Sequence, residues 1–179
     1  MIKNALKIDG WMEPDELQFL AERAKEAKLI LEVGSYKGRS TTALCENTNG
    51  IVYSIDPYGG SYFNTQNEPI FNVGDEILNE FTKNLEYYLN TKKLIHKRTT
   101  LDKFESPFKF DFIFIDGDHR YNPLRLDINC AKRLIVDGGI ISGHDYGRSD
   151  WSDVKRAVLD EFDLAKINTV NTIWWTCAD

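Results

Sequence analysis

Between Asp111 and Asp116 the chain places Phe112, Ile113, Phe114 and Ile115 in unbroken succession, with no polar residue alternating among them. A β-branched and aromatic run that is apolar on both faces reads as a central strand of a parallel sheet, covered by helices on either side. The run stops abruptly in Asp116-Gly117-Asp118-His119-Arg120-Tyr121. In open α/β sheets ligands sit beyond the carboxyl ends of the strands, so these polar residues are where chemistry is expected.

The flanking sequence alternates helix and strand signals. Pro14, Asp15 and Glu16 stand where a first helical turn favours them, and Leu17, Leu20, Ala21 and Ala24 continue at helical spacing to about residue 27. Residues 29–33 predict a buried strand, 34–40 a turn, 41–46 a helix, and 51–55 a second strand closed by Asp56-Pro57. A glycine loop after the first strand and an acid after the second point to a nucleotide-like cofactor. Residues 58–73 read as a long loop, 75–90 as one helix, 94–96 as a third strand and 101–104 as a helical turn. After the central strand come a helix over 122–134, a fifth strand over 138–142 running into Gly143-His144-Asp145-Tyr146, a helix over 151–162, and strands at 164–167 and 172–176. The alternation predicts an α/β fold with about seven strands and six helices in one doubly wound, mostly parallel sheet. Its last two strands have no room for a crossover helix, so the final strand must run antiparallel.

With 179 residues, 42% of them hydrophobic, the chain supports one core and a single domain over 1–179. A net charge of -6 with scattered Lys and Arg provides no basic stripe, so nucleic acid is not an expected partner. Cys45, Cys130 and Cys177 match no metal or redox spacing and read as reduced thiols. Neither a signal-like N-terminus nor a membrane-length apolar run is present, and a cytoplasmic protein without membrane partners is expected.

At this point the residues carry a resemblance. Glu32-Val33-Gly34-Ser35-Tyr36-Lys37-Gly38-Arg39-Ser40, Asp56 and the two strand ends containing Asp116 and His144-Asp145 resemble the motifs of class I S-adenosylmethionine-dependent methyltransferases. Within them the match is to the small metal-dependent O-methyltransferases of the catechol and macrolide-sugar types, from about Trp11 onward. Tyr36 replaces the middle glycine of the more familiar loop, as in the catechol-like branch. The resemblance implies a Rossmann-like methyltransferase fold with S-adenosylmethionine as cofactor. It places Glu32, Gly34, Ser35, Tyr36, Gly38 and Ser40 around the cofactor's amino-acid end, Asp56 on the ribose hydroxyls, and Thr99 and Thr100 beside adenine. Asp116 would touch the cofactor and, with Asp145 and His144, hold Mg2+; Asp118 would be a further ligand or only a turn cap. His119 would be the general base, with Asp116 the second catalytic residue.

The implied substrate is a hydroxylated small molecule, such as a saccharide or glycosylated metabolite, contacted through Tyr58, Tyr62, Phe63 or Trp151. Trp174 and Trp175 fall on opposite faces of the last strand, which leaves room for a homodimer interface. Two other classes stay open: an NAD-dependent oxidoreductase, opposed by the missing G-x-G-x-x-G, and a non-catalytic cofactor-binding relative.

Overall fold

The computed structural model describes residues 2–63 and 69–178, the short strands within 60–73 by their backbone course. Its strands are β1 (Leu29–Val33), β2 (Ile51–Ile55), β3 (Gly60–Phe63), β4 (Pro69–Val73), β5 (Leu94–Lys97), β6 (Phe110–Ile115), β7 (Ile135–Gly143), β8 (Asn168–Val170) and β9 (Ile173–Cys177). The helices are α1 (Pro14–Glu26), α2 (Arg39–Asn47), α3 (Asp75–Asn84), α4 (Glu86–Asn90), α5 (Tyr121–Leu134) and α6 (Ser152–Glu161). Seven strands form one sheet in the order β5-β2-β1-β6-β7-β9-β8. All pairs from β5 to β7 are parallel, while β9 is antiparallel to both β7 and β8.

The apolar run is the sheet's centre, as expected. Phe112 and Phe114 pack with α1 and α2 on one face, and Ile113 and Ile115 with α5 and α6 on the other. Each fully buried side chain of this size contributes roughly 1.5–3 kcal/mol, and a strand so clad has no solvent face. The last strand follows the same alternation. Trp174 is fully buried on the α5/α6 side, whereas Trp175 lies partly buried against Phe19 of α1.

Three local expectations are corrected. The stretch read as a loop over 58–73 contains an antiparallel ribbon of β3 and β4. The helix expected over 75–90 breaks at Leu85, whose backbone (φ -111, ψ 12) leaves the helical region while its side chain packs fully buried against Gly38. The strand expected at 164–167 is a short 3-10 turn, because the Asp163 carboxylate accepts the Ala165 N–H at 3.0 Å, and β8 starts only at Asn168. Among the described residues no helix is long and apolar enough to cross a membrane.

The parallel pairing of β1 with β6 brings Val33 level with Ile115, and the two chains leave the sheet side by side. Asp116 N–H donates to Val33 O at 2.7 Å, and Gly34 N–H donates to Ile55 O at 2.8 Å. Gly34 takes φ +83, and a Cβ there would lie 2.1 Å from Asp116 O. Both the backbone angle and the contact demand glycine. Gly34→Ala is therefore expected to lower unfolding free energy by on the order of 3 kcal/mol in urea denaturation. A loss below about 0.5 kcal/mol, within the scatter of neutral surface changes, would mean that the two strand ends can part freely.

Candidate active site

A cavity of about 650 Å³ opens beyond the carboxyl ends of β1, β2, β5 and β6. Gly34, Asp56, Pro57, Thr99, Thr100, Leu101, Gly117 and Asp118 line it together with the first turns of α5. This size suits a cofactor, and most binding pockets fall in the same range. Gly34, Asp56, Thr99 and Thr100 thus lie together on its wall.

The loop from Gly34 to Gly38 is held from inside by Asp56. Its Oδ2 accepts from the Ser35 and Tyr36 amides at 3.0 and 3.2 Å, and its Oδ1 from the Tyr58 amide at 2.9 Å. These bonds support Tyr36 at φ 46, an angle few non-glycine residues adopt. Burial nevertheless raises the Asp56 carboxyl above its usual range despite the three amides. A carboxylate has about four acceptor positions, and three of those of Asp56 are taken by these amides.

Tyr58 does not face a substrate. It is fully buried against Phe81 and His96, and its hydroxyl donates to Tyr36 O at 2.7 Å. The expected contacts through the side chains of Tyr62 and Phe63 lie outside the described residues. Glu32 and Ser40 meet one another: Ser40 Oγ donates to Glu32 Oε1 at 2.6 Å, and Thr41 Oγ1 donates to Oε2 at 2.5 Å. Gly38 starts α2 at φ 92.

A second group gathers where β6 and β7 end side by side. Ligand atoms of Asp116, His144 and Asp145 all lie within 4.8 Å of one another. His119 Nε2 stands 2.7 Å from Asp145 Oδ2 and 3.5 Å from Asp116 Oδ1, and its ring stacks on Trp151 with centroids 4.4 Å apart. His144 Nδ1 faces the same carboxylates at 3.4 and 3.6 Å. Asp145 sits at φ 61, a strained angle of the kind found at functional sites. Asp118 lines the cavity, caps the turn through the Arg120 amide at 3.0 Å and pairs with the Arg120 guanidinium.

One residue of this group carries no local signal in the sequence. Glu16, read above only as a first-turn acid, is 1% exposed and meets His144 Nε2 at 3.0 Å. Its other oxygen accepts from the Thr172 amide and hydroxyl at 3.1 and 2.6 Å. Besides the Glu13 amide of its own helix start at 2.9 Å, its partners lie 128 and 156 positions away, beyond the reach of any local pattern.

The charges are strongly coupled. Burial alone would lower the His119 pKa, but contacts with Asp116 and Asp145 raise it to about 9. For His144 burial is likewise outweighed, by Asp116, Asp145 and Glu16, and the value rises to about 12. Burial opposes ionisation of Asp116 and Asp145, yet the two histidines hold both carboxyls below their usual range. Glu16 is lowered in the same way through His144 and Thr172. Three carboxylates around two imidazolium groups leave a net negative charge, and once His144 gives up its Nδ1 proton the oxygen, nitrogen and oxygen atoms of Asp116, His144 and Asp145 fit a divalent cation. Held in these ion pairs His119 carries its proton near neutrality, so a role as base requires the pairs to loosen.

Comparison with known proteins fits this geometry. Residues 31–146 match the family described as a methyltransferase domain, and the chain belongs to that family. Among solved structures, an O-methyltransferase from Bacillus cereus in complex with S-adenosylhomocysteine is similar at 18% identity and TM-score 0.67, covering 98% of this chain and 87% of that one. The O-methyltransferase TomG of Streptomyces achromogenes, solved with S-adenosylmethionine, is similar at 14% identity and TM-score 0.65, covering 94% and 82%. The N-methyltransferase NodS of Bradyrhizobium japonicum, solved with S-adenosylhomocysteine, is similar at 12% identity and TM-score 0.62, covering 93% and 88%. At these identities the likeness is one of fold. Protein R132 of Acanthamoeba polyphaga mimivirus is 27% identical over 133 residues, 72% of this chain, and the match spans about half (56%) of that relative's length.

Glu32 offers a test of the buried electrostatics. Burial raises its carboxyl to about 7, against 4.5 in water, with the hydroxyls of Ser40 and Thr41 only partly offsetting the effect. A raised acid stabilises the fold fully below its unfolded value, and that contribution is lost as pH rises through about 7. Glu32→Gln removes this dependence. The stability of the variant relative to the parent is expected to improve by on the order of 3 kcal/mol between pH 4.5 and 7.5 in urea denaturation. A difference that stays flat across this interval would show that Glu32 ionises normally in the fold.

Proposed function

We propose that this methyltransferase uses S-adenosylmethionine and a divalent cation to methylate a hydroxyl group on a small molecule, with a saccharide or glycosylated metabolite the favoured acceptor. The observation that carries the reading is the Asp116, His144 and Asp145 cluster at the ends of β6 and β7, next to a cavity floored by Gly34 and Gly117. The methyl group passes from the sulfonium to the acceptor oxygen. The C–S bond breaks with its electrons going to sulfur as the C–O bond forms, leaving S-adenosylhomocysteine, a methyl ether and one proton. When bound, the cation would lower the pKa of the acceptor hydroxyl and orient its oxygen.

The protein's own residues carry the rest. Gly34 lets the backbone approach the cofactor, and the N-terminus of α2 favours its carboxylate. Glu16 holds His144 by Nε2 and leaves Nδ1 facing Asp116 and Asp145, as outer carboxylates do for metal-binding histidines. His119 is the group placed to take the acceptor proton, and it does so once Asp116 and Asp145 are engaged elsewhere. Trp151 fixes the imidazole plane from one side.

Calorimetry of S-adenosylhomocysteine, with NAD as control, tests the cofactor, and titration of Mg2+ and Mn2+ tests the cation. Asp145→Asn is expected to weaken cation binding by at least about tenfold. With a cognate acceptor, His119→Ala should lower kcat by roughly 10²–10⁴. Binding of NAD in place of the homocysteine nucleoside would sink the cofactor reading, and turnover indifferent to chelation would remove the cation.

A further inference from the structure

The cluster at the ends of β6 and β7 departs from an all-oxygen site in one donor. Asp116 and Asp145 offer carboxylate oxygens, but His144 offers a ring nitrogen. Its Nδ1 stands 3.6 Å from Asp116 Oδ1 and 3.4 Å from Asp145 Oδ2. Mg2+ takes oxygen ligands in near-ideal octahedral geometry, keeps several of its waters and is usually bound through one or two carboxylates. An imidazole nitrogen suits the later first-row dications instead.

The surroundings fix this imidazole in place. The His144 amide donates to Ile115 O at 3.1 Å, which anchors the residue to the strand end. Nε2 meets Glu16 Oε2 at 3.0 Å, and both side chains are buried. Glu16 is itself held on every side. The same oxygen accepts the Glu13 amide at 2.9 Å, and Oε1 accepts the Thr172 amide and hydroxyl at 3.1 and 2.6 Å. A carboxylate at Nε2 keeps a proton on that nitrogen, so the lone pair of the neutral ring is on Nδ1, facing the two aspartates. Swinging the ring out to leave an all-oxygen site would break this contact and unpair a buried carboxylate.

We infer that the centre selects a borderline first-row transition-metal dication, in the range Fe2+ to Zn2+, over the Mg2+ that the resemblance implied. His144 Nδ1 is the discriminating donor, and Glu16 is the positioning residue that presents it. This inference rests on the cation reading proposed above and names the chemical class of that cation. A cation that prefers oxygen gains little by exchanging a water for an imidazole, whereas a borderline cation gains a stronger bond.

The test is calorimetric titration of the full chain with Co2+ and with Mg2+. The parent protein should bind Co2+ at least about a hundredfold more tightly. His144→Asn, which puts an amide oxygen in place of the nitrogen, should shrink that ratio by at least about tenfold. Asp116→Asn removes a charge but no nitrogen, and should weaken both cations while leaving the ratio within about threefold. Thermal melting without metal shows whether each variant is folded. Proton NMR of the Co2+-loaded parent reads the donor without any variant: it should show the strongly shifted N–H signal of a bound imidazole, shielded from exchange by Glu16. Equal affinity of the parent for the two cations, a ratio unchanged in His144→Asn, or absence of the shifted signal overturns selection by His144 and leaves the cation reading standing. Binding of neither cation overturns that reading, and this inference with it.

Discussion

The parallel pairing of β1 and β6 is the constraint on which the rest depends. It sets the ends of two buried strands at one level, with Val33 opposite Ile115, and forces the chain to turn out of the sheet at both places within a few ångströms. Only glycine at position 34 tolerates the approach to Asp116 O. From that crowded point one strand end leads into the loop braced by Asp56, and the other into Asp116, Gly117, Asp118 and His119. The cavity and the charged cluster are two sides of the same crossing.

Asp56 and Glu32 show how the loop after β1 is made rigid. Each acid is fully buried, and each is satisfied by groups from that loop or the helix after it: main-chain amides in one case, the hydroxyls of Ser40 and Thr41 in the other. Desolvation acts against both, and the hydrogen bonds are what make their burial tolerable. Acids at these positions therefore do structural work, whatever ligand the cavity takes. In the neighbouring cluster the balance is different, because Asp116 and Asp145 face imidazoles and are held ionised. One set of acids is pushed towards neutrality and the other towards charge, within the reach of adjacent strand ends.

Much of this was legible in the sequence. The unbroken apolar run from Phe112 to Ile115 has no place except a strand covered on both faces, and the short spacing before β9 excludes a crossover. The convergence of Asp116 and Asp145 follows once their strands are neighbours. What could not be read locally depends on distant packing. The break at Leu85 arises because its side chain is needed against Gly38, and the turn at 164–166 because Asp163 captures an amide that a strand would have used. Tyr58 looked like a surface aromatic in a polar stretch, but Phe81 and His96 enclose it. Glu16 fitted a helix start so well that its pattern concealed a second role.

That second role has a consequence for how the protein assembles. Glu16 from α1, His144 from the end of β7 and Thr172 from the turn into β9 meet in one buried contact. Contacts so far apart along the chain require large loops to close before any stabilisation is returned, which slows folding. The helices and the central strands can form from nearer neighbours. The charged cluster, by contrast, is completed only when both ends of the fold have docked, so a fragment cut anywhere between residues 17 and 143 separates Glu16 from His144 even where its own core survives.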